Sequence, residues 1–455
     1  MRKFTTEEIA AATGGIASGH AEVTSVVIDN REAVPGSLFI AIRGERLDGH
    51  QFIEKAVEAG ASAVMCSKDV SCGVPTIKVK DTTQGFLDLA GSYRNEFDIP
   101  VVGLTGSVGK TTTKEMIWCV LNAKYCAHKT YFNWNNEIGL PKVLLGLEPE
   151  HTAAVIEMGM NHKGEISRLT RIARPTMAVI TNIGVSHIEN LGSRDGILAA
   201  KLEILEGMEP GSTLILNADN DKLSTVERDD FVIKHFAVHH DADVRAENIH
   251  YLDDSTEFDA VTENGRTRVV IPTTGEHNVY DALAAFTVGL ELGIAPESCS
   301  EALKNYAPAG MREKIEDAGG VTLIEDCYNA SPDSMKALAE TLTLKGAPGK
   351  RKIAVIADML ELGDYSEEAH RRAGKYMADA KVDMLMTYGP MSKYAAEEAR
   401  ANGLVRVFDF DDKEDLTRQL IGMIKPGDVV AFKGSRGMKL EEVIEKVQEA
   451  RKEEN

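Results

Sequence analysis

Short apolar runs alternate with amphipathic stretches along the chain, a pattern that is typical of α/β proteins. Over residues 1–98 the runs are short and bounded by turn-forming residues, which indicates a small α/β domain. In this part, strands are predicted at Glu22–Ile28, Ser37–Ile42, Ala63–Cys66 and Thr76–Val79, and a helix at Gln51–Ala59.

A second series of apolar runs predicts a central domain over residues 99–311. Strands are predicted at Pro100–Leu104, Ala153–Ile156, Met177–Ile183 and Thr213–Leu216, with helical stretches between them. Strands separated by helices favour a mainly parallel sheet. Residues 230–272 instead indicate antiparallel strands joined by turns such as Asn264-Gly265, and a helix is predicted at Asn278–Leu292.

The strand–helix alternation returns in the last part of the chain. Here the strands are predicted at Val321–Glu325, Lys352–Ala357, Met384–Tyr388 and Asp428–Phe432. This alternation predicts a doubly wound, Rossmann-like domain over residues 312–455. The expected fold class is therefore α/β, with three domains: a small N-terminal one, a central one with a mostly parallel sheet, and the Rossmann-like one.

Composition narrows the class of protein. The 455 residues are 43% hydrophobic, which is enough for several packed cores. A net charge of −20 argues against a nucleic-acid partner, because binding that polyanion needs a basic face. The six cysteines form no C-x-x-C pair, no apolar run has the length of a membrane span, and the N-terminus lacks a signal-peptide pattern. A cytoplasmic, monomeric protein without membrane contact is expected.

The most informative motif is a glycine-rich loop between a predicted strand and a predicted helix at about residues 110–123. Its backbone N–H groups and the positive end of the helix dipole are suited to hold phosphate. In such loops the lysine, here Lys110, reaches the terminal phosphates, and the next hydroxyl, Thr111, binds Mg²⁺. Leu104 stands where the general form of the loop has its first glycine. The predicted nucleotide-binding residues are Gly106, Ser107, Val108, Gly109, Lys110, Thr111 and Thr112.

Two polar side chains follow predicted strands of the central domain. Glu157 ends the run Ala-Ala-Val-Ile, and a carboxylate at the tip of a strand near a phosphate loop is placed to hold Mg²⁺. An ordinary strand-end glutamate is the alternative. His187 follows the next strand in a loop, where a lone histidine is more often structural or solvated than functional.

Lys201 lies on a predicted helix that Ser193 caps. At about 100° per residue its position falls inside the apolar arc formed by Ile197, Leu205 and their neighbours. A lysine there must extend to solvent, pair with a carboxylate or lose its charge, since burial lowers the pKa of an amine. A neutral amine reacts with CO₂ to give a carbamate, which binds metals. The extended or ion-paired lysine stays open as the alternative.

Three further residues are weaker candidates. Asn278 opens a predicted helix, where its side chain either caps the helix or contacts a base edge. In the third domain, Arg312 suits a phosphate charge and Asp326 suits ribose hydroxyls.

Together these motifs resemble the Mur ligase family, the ATP-dependent amide-forming enzymes of peptidoglycan precursor synthesis. The resemblance runs nearly end to end and includes the N-terminal uridine-nucleotide segment around Asp29-Asn-Arg31. Asp281 stands where the family commonly has a second asparagine after His-Asn. The other stretches that carry the resemblance are 105–114 (TGSVGKTTTK), 133–141 (NWNNEIGLP), 157–166 (EMGMNHKGEI), 357–363 (ADMLELG) and 433–439 (KGSRGMK).

The resemblance implies roles for the candidate residues. It implies that Thr111 and Glu157 bind one Mg²⁺, and that His187 and a carbamylated Lys201 hold or orient the second, with Lys110, Lys201 and His187 as the catalytic set. It also implies that Asn278 contacts the adenine, and that Arg312 and Asp326 contact the ATP phosphate and ribose. The implied contacts to the UDP-sugar peptide are Asn30, Arg31 and Asn136.

The resemblance further implies the reaction. ATP would activate the terminal carboxylate of UDP-N-acetylmuramoyl-tripeptide as an acyl phosphate, and D-alanyl-D-alanine would attack it to form the pentapeptide precursor. A ligase that adds the third amino acid and a folylpolyglutamate-type synthetase are the alternatives within the class. A nucleotide switch without ligase activity is the alternative outside it.

Overall fold

The computed structural model describes residues 1–44, 47–308, 310–312, 314–346 and 349–453. Its first part consists of short strands and three helices. They are β1 (Phe4–Thr5), α1 (Thr6–Thr13), β2 (Ile16–Ala17), β3 (Glu22–Val23), β4 (Ser25–Val27), β5 (Ser37–Ile40), α2 (Ile53–Glu58), β6 (Ala63–Cys66), β7 (Thr76–Lys78) and α3 (Thr82–Arg94).

The middle part begins with the strand that leads into the glycine-rich loop. Its elements are β8 (Val101–Thr105), α4 (Lys110–Leu121), β9 (Ala127–Lys129), α5 (Gly139–Leu145), β10 (Ala153–Glu157), α6 (Glu165–Ala173), β11 (Met177–Ile180), α7 (Ile188–Leu191), α8 (Arg194–Leu202), β12 (Thr213–Asn217), β13 (Val232–Ala237), β14 (Val244–Tyr251), β15 (Thr256–Thr262), β16 (Gly265–Ile271), α9 (Glu276–Glu291) and α10 (Pro296–Leu303).

The last part alternates strands and helices after an initial hairpin. Its elements are β17 (Lys314–Ala318), β18 (Val321–Glu325), α11 (Pro332–Lys345), β19 (Lys352–Ala357), α12 (Ser366–Asp379), β20 (Met384–Tyr388), α13 (Ser392–Ala401), β21 (Val407–Phe410), α14 (Lys413–Met423), β22 (Val429–Lys433) and α15 (Glu441–Glu453). Among the described residues, no helix combines the length and the apolar character needed to cross a bilayer.

Several helices begin where the sequence carries a capping residue. Asp81 accepts hydrogen bonds from the N–H groups of Thr83 and Gln84 at the start of α3. At the start of α11, Ser331 caps the helix and Pro332 occupies the first turn, where its missing N–H is not needed. Asp412 caps α14 in the same way. These caps satisfy amide groups that have no acceptor within their own helix.

The chain divides into two compact units, and residues 1–104, 125–178 and 203–213 form the first. This unit contains a five-stranded sheet in the order β2-β7-β6-β5-β4, in which only the β2–β7 pair is antiparallel. Strand β10 pairs in parallel with both β8 and β9. All five residues of β8 and of β10 are buried, as expected for parallel strands that are covered on both faces.

The second unit consists of residues 105–124, 179–202 and the chain from residue 214 onward. It contains a six-stranded sheet in the order β17-β18-β22-β19-β20-β21, parallel except for the β17–β18 hairpin. The central strands β19 and β22 are almost entirely buried in its core. This is the doubly wound sheet that the sequence predicts.

The α/β fold class is confirmed, and the strands predicted at 63–66, 321–325, 352–357 and 384–388 have their predicted bounds. One prediction for residues 230–272 is wrong, because β13 pairs in parallel with β14; only β14, β15 and β16 are antiparallel. The strand predicted to reach Ile183 ends at Ile180, since the next residues form the loop that holds the glycine-rich segment. The boundaries of the three predicted domains stay predictions.

Candidate active site

The glycine-rich loop spans Gly106–Gly109, between the end of β8 and the start of α4. Gly109 has φ = 80°, a conformation that favours glycine. At Gly106 a Cβ would lie 1.9 Å from Oγ1 of Thr181, so any side chain would clash. Gly109 is therefore required by its backbone conformation and Gly106 by close packing. A loop of this shape suits an anion at the N-terminal end of α4.

Polar groups that follow β11 hold this loop in shape. Oδ1 of Asn182 accepts hydrogen bonds from the N–H groups of Ser107 (3.2 Å) and Val108 (3.0 Å). The Thr181 hydroxyl donates to the Val108 carbonyl at 2.7 Å, and the Gly184 N–H donates to the Ser107 hydroxyl at 2.9 Å. Sequence reasoning missed Asn182; the only signal was a polar pair directly after an apolar strand.

Two lysines converge on the start of the loop. Nζ of Lys110 donates to the carbonyl of Gly106 at 2.8 Å, and Nζ of Lys201 donates to the same oxygen at 3.0 Å. Lys201 is 2% exposed, so its side chain does not extend to solvent, which was one of the alternatives left open by its place in the apolar arc. Burial, together with the positive charge of Lys110, holds the pKa of Lys201 well below its usual value. The amine of Lys201 is therefore suited to be neutral.

The helix α9 contributes a carboxylate to the same region. The hydroxyl of Thr113, on α4, donates to Oδ1 of Asp281 at 2.6 Å, and both residues are buried. A Cβ at Gly109 would lie 2.7 Å from that oxygen, so the carboxylate also lies against the glycine-rich loop. Asp281, the position at which the sequence departs from the family pattern, thus joins α9 to α4.

His187 lies immediately before α7 and has φ = 63°, which is uncommon for a residue with a side chain. Its side chain is 18% exposed. Nδ1 lies 2.6 Å from Oε2 of Glu361, although the two groups are not aligned as a formed hydrogen bond. Sequence reasoning did not single out Glu361, which lies in the 357–363 stretch.

Glu157, the last residue of β10, belongs to the first compact unit. It is 2% exposed, and Oε1 accepts a hydrogen bond from the Asn135 side chain at 2.8 Å. Its register partner on β8 is Leu104, the residue two positions before Gly106. In the described part of the chain, no group of three or more histidine, cysteine, aspartate or glutamate side chains is arranged to hold a metal ion.

Asn278 is fully buried in the first turn of α9. Its Nδ2 donates to the carbonyl of Thr274 at 3.0 Å and lies 3.2 Å from the Thr273 hydroxyl. The N-cap position belongs to Gly275, so the cap suggested by the sequence is wrong. The side chain instead holds the turn that precedes α9, and its contact with adenine stays a prediction.

Arg312 and Asp326 flank the β17–β18 hairpin. Because this hairpin pairs Lys314 with Glu325, Arg312, two positions before β17, and Asp326, directly after β18, come to the same end of the sheet. The guanidinium of Arg312 lies 4.0 Å from the centre of the Tyr328 ring. Asp326 forms an ion pair with Lys433, which is 2% exposed.

The three predicted UDP-substrate residues lie in the first unit. Asn30 begins a short 3₁₀ turn, and the exposed Arg31 forms a two-pronged ion pair with Asp29. Oδ1 of Asn136 accepts hydrogen bonds from the N–H groups of Ile138 and Gly139, so this side chain holds the start of α5. Their substrate contacts stay predictions.

The donor types present fit the two groups that the resemblance implies. A hydroxyl from Thr111 and a carboxylate from Glu157 are the hard oxygen ligands that Mg²⁺ prefers. Burial lowers the pKa of the Lys201 amine and so favours the unprotonated form that CO₂ requires. A carbamate on Lys201 would be an anion, and Lys110, which donates to the same carbonyl, would supply a compensating positive charge.

Three family models match successive parts of the chain. The Mur ligase family catalytic domain matches residues 22–93, the Mur ligase middle domain residues 104–289, and the Mur ligase glutamate ligase domain residues 312–436. The chain is 40% identical over 454 residues to a protein of Bacillus subtilis (strain 168) named UDP-N-acetylmuramoyl-tripeptide–D-alanyl-D-alanine ligase, and 98% of each chain is covered. The chain belongs to the Mur ligase family.

Solved structures agree with membership of the Mur ligase family. Crystal structure I of MurF from Acinetobacter baumannii is 32% identical, with a TM-score of 0.92 and 99% of both chains covered. The MurF ligase from Thermotoga maritima in complex with ADP is 27% identical, with a TM-score of 0.85, and covers 95% of this chain and 99% of that one. The resemblance inferred from the motifs is thereby confirmed over nearly the whole chain.

Proposed function

We propose that this chain is an ATP-dependent ligase that joins D-alanyl-D-alanine to UDP-N-acetylmuramoyl-tripeptide and forms the pentapeptide precursor of peptidoglycan. The observation that carries the proposal is the glycine-rich loop with Lys110 and Lys201 on one carbonyl, in a chain similar along its whole length to proteins of that name. A nucleotide switch would have no use for a buried lysine with a lowered pKa beside its phosphate loop.

The reaction proceeds in two steps. The terminal carboxylate of the tripeptide attacks the γ-phosphorus of ATP; an acyl phosphate forms, and the bond to ADP breaks. The amine of D-alanyl-D-alanine then attacks the acyl carbon, the tetrahedral intermediate expels inorganic phosphate, and the amine loses its proton. Lys110 supplies positive charge to the phosphates while two anionic reactants approach each other.

The loop and its supports position ATP for this chemistry. The amides at the start of α4 and the helix dipole bind the phosphates, and the contacts of Asn182 keep the Ser107–Val108 backbone in place. We assign the adenine contact to Asn278 and the phosphate and ribose contacts to Arg312 and Asp326.

We propose that Thr111 and Glu157 bind one Mg²⁺ and that His187 and carbamylated Lys201 hold or orient the second. When bound, the metal neutralises charge on the transferring phosphoryl group. Thr111 is the second residue of α4, which starts at the phosphate loop, and Lys201 reaches that loop through its hydrogen bond to the Gly106 carbonyl.

The UDP-sugar peptide is assigned to the first unit, through Asn30, Arg31 and Asn136. Arg31 is exposed and held by Asp29, so its guanidinium is pre-oriented for an anionic group such as a diphosphate. The pairing holds the pKa of Asp29 at about 2 through its hydrogen bonds from Arg31, so the carboxylate is charged throughout the physiological range.

A coupled ADP-release assay tests the proposed function. ADP release should require UDP-N-acetylmuramoyl-tripeptide and D-alanyl-D-alanine together, with little release when either is left out. Turnover with a dipeptide substrate and a free amino acid would favour a ligase that adds the third residue, and turnover with a folate and glutamate would favour a folylpolyglutamate-type synthetase. Equal hydrolysis of ATP without either acceptor would overturn the ligase proposal.

A further inference from the structure

The loop that carries His187 faces a second segment, residues 361–363, and both contain a residue with a strained backbone. His187 has φ = 63° and Glu361 has φ = 62°. For a residue with a Cβ this left-handed conformation is unfavourable, whereas glycine adopts it freely and asparagine tolerates it. Strain kept at two facing positions indicates that the two side chains are needed there.

The side chains of these two residues meet. Nδ1 of His187 and Oε2 of Glu361 lie 2.6 Å apart, and a rotation of the side chains would align them as a hydrogen bond. The two segments also pack directly, because a Cβ at Gly363 would lie 3.2 Å from Cγ of Glu189. The approach of the carboxylate to the imidazole is therefore built into the packing of the segments, rather than resting on one long side chain.

The histidine loop is tied in turn to the phosphate loop. The Gly184 N–H donates to the Ser107 hydroxyl at 2.9 Å, and the Ser186 hydroxyl lies 3.5 Å from the Ser107 carbonyl. Oδ2 of Asp333, the second residue of α11, would lie 2.2 Å from a Cβ at Gly184. Segments that follow β18 and β19 thus contact the loop that carries His187 at more than one point.

We propose that Glu361 is a positioning residue for the ligase reaction: its carboxylate holds the His187 imidazole as the Nδ1–H form, which leaves the lone pair on Nε2. A carboxylate on one ring nitrogen fixes both the tautomer and the orientation of an imidazole whose other nitrogen binds a ligand. This proposal rests on the proposed function for the role of His187. Its structural part, the tautomer, concerns the protein without nucleotide or metal.

The first experiment therefore reads the tautomer directly. Protein labelled with ¹⁵N-histidine, free of nucleotide and metal, is examined by long-range ¹H–¹⁵N correlation, and the H187N spectrum identifies the His187 signals. Asparagine is chosen because it tolerates positive φ. Wild type should show the Nδ1–H pattern. E361Q should show a mixture, because its amide both accepts and donates, and E361N should lose the Nδ1–H preference because its shorter side chain withdraws from the ring.

The second experiment reads turnover. Loss of such an outer partner typically lowers activity by about 10- to 100-fold, so kcat of E361N should fall by that factor while KM for ATP changes little. E361G removes the backbone strain together with the side chain, so its Tm should not fall below that of wild type, and a loss of kcat would not reflect misfolding. D364N removes an exposed negative charge three residues away and should leave kcat unchanged.

Two outcomes overturn the proposal: an unchanged His187 tautomer in E361N, or kcat of E361N and E361G within twofold of wild type. Failure of the ligase function itself would be recognised separately, because wild type would then show no acceptor-dependent ADP release, whereas the tautomer measurement would still report on the contact between Glu361 and His187.

Discussion

Lys110 and Lys201 donate to the same backbone oxygen, the carbonyl of Gly106, at 2.8 and 3.0 Å. Two ammonium groups that share one acceptor repel each other, and the fully buried Lys201 is the less solvated of the two. The arrangement is therefore stable when Lys201 is neutral. The phosphate loop brings together one lysine suited to phosphate and one suited to react with CO₂.

The lowered pKa of Lys201 makes the stability of the protein depend on pH. The unfolded chain keeps a proton at this lysine up to a pKa of about 10.4, and the folded chain releases it at a lower pH. Stability should consequently rise with pH between the lowered pKa and about 10.4, by up to about 1.4 kcal/mol per pH unit from this group. In CO₂-free buffer, the free energy of unfolding should rise more between pH 7 and pH 9 for wild type than for K201M, as measured by urea titration.

The surface lysine Lys375 on α12 provides a matched control. Its side chain is 54% exposed, so K375M should differ from wild type by the same amount at pH 7 and pH 9. A difference between K201M and wild type that stays constant over this range would contradict a neutral Lys201.

The carbamate assignment makes a different prediction about activity. K201A should lose about 10²-fold or more of the acceptor-dependent ADP release, because an anionic group near the phosphoryl site is missing. Added formate or acetate should restore part of it by occupying the space of the carbamate. In wild type supplied with ¹³CO₂, a carbamate carbon signal should appear that K201A lacks. Full activity of K201A without added carboxylate would rule the carbamate role out.

Close packing at Gly106 predicts a second loss of function. G106A should lower ATP turnover by at least about 10²-fold, because its Cβ would overlap the Thr181 hydroxyl and displace the phosphate loop. G106A/T181A should recover part of the activity, since the overlapping oxygen is gone. G422A, in α14, places a Cβ where nothing lies within 4 Å, and it should keep full activity. No recovery in the double variant would show that Gly106 matters for another reason.

Much of this site was predictable because it depends on local sequence. The loop 106–112 follows from glycine spacing between a strand and a helix, and the burial of Lys201 follows from its place on the apolar face of α8. The contacts of Asn182, Asp281 and Glu361 were not predictable in this way. Each joins segments far apart in sequence, by up to 174 positions for the His187–Glu361 pair, and no periodicity encodes which polar residues meet.

The fold shows the same division between local and distant information. Buried parallel strands such as β19 and β20 have their predicted bounds because apolar runs of that length are distinctive. The parallel pairing of β13 with β14 was missed, because they are joined by only the six residues between Ala237 and Val244, and a short connection favours a hairpin.

The hydrogen bond from Thr113 to Asp281 predicts how much α4 and α9 depend on each other. T113V leaves a buried carboxylate without this donor and should lower the free energy of unfolding by about 1–3 kcal/mol. D281A should lower it by less, because the Thr113 hydroxyl keeps the Gly109 carbonyl, 3.0 Å away, as an acceptor. D281N keeps an oxygen that accepts from Thr113 and should lose less. The double variant T113V/D281A should be less destabilised than the sum of the single variants, as measured by urea unfolding; additive losses would mean that the contact, though only 2.6 Å long, contributes nothing.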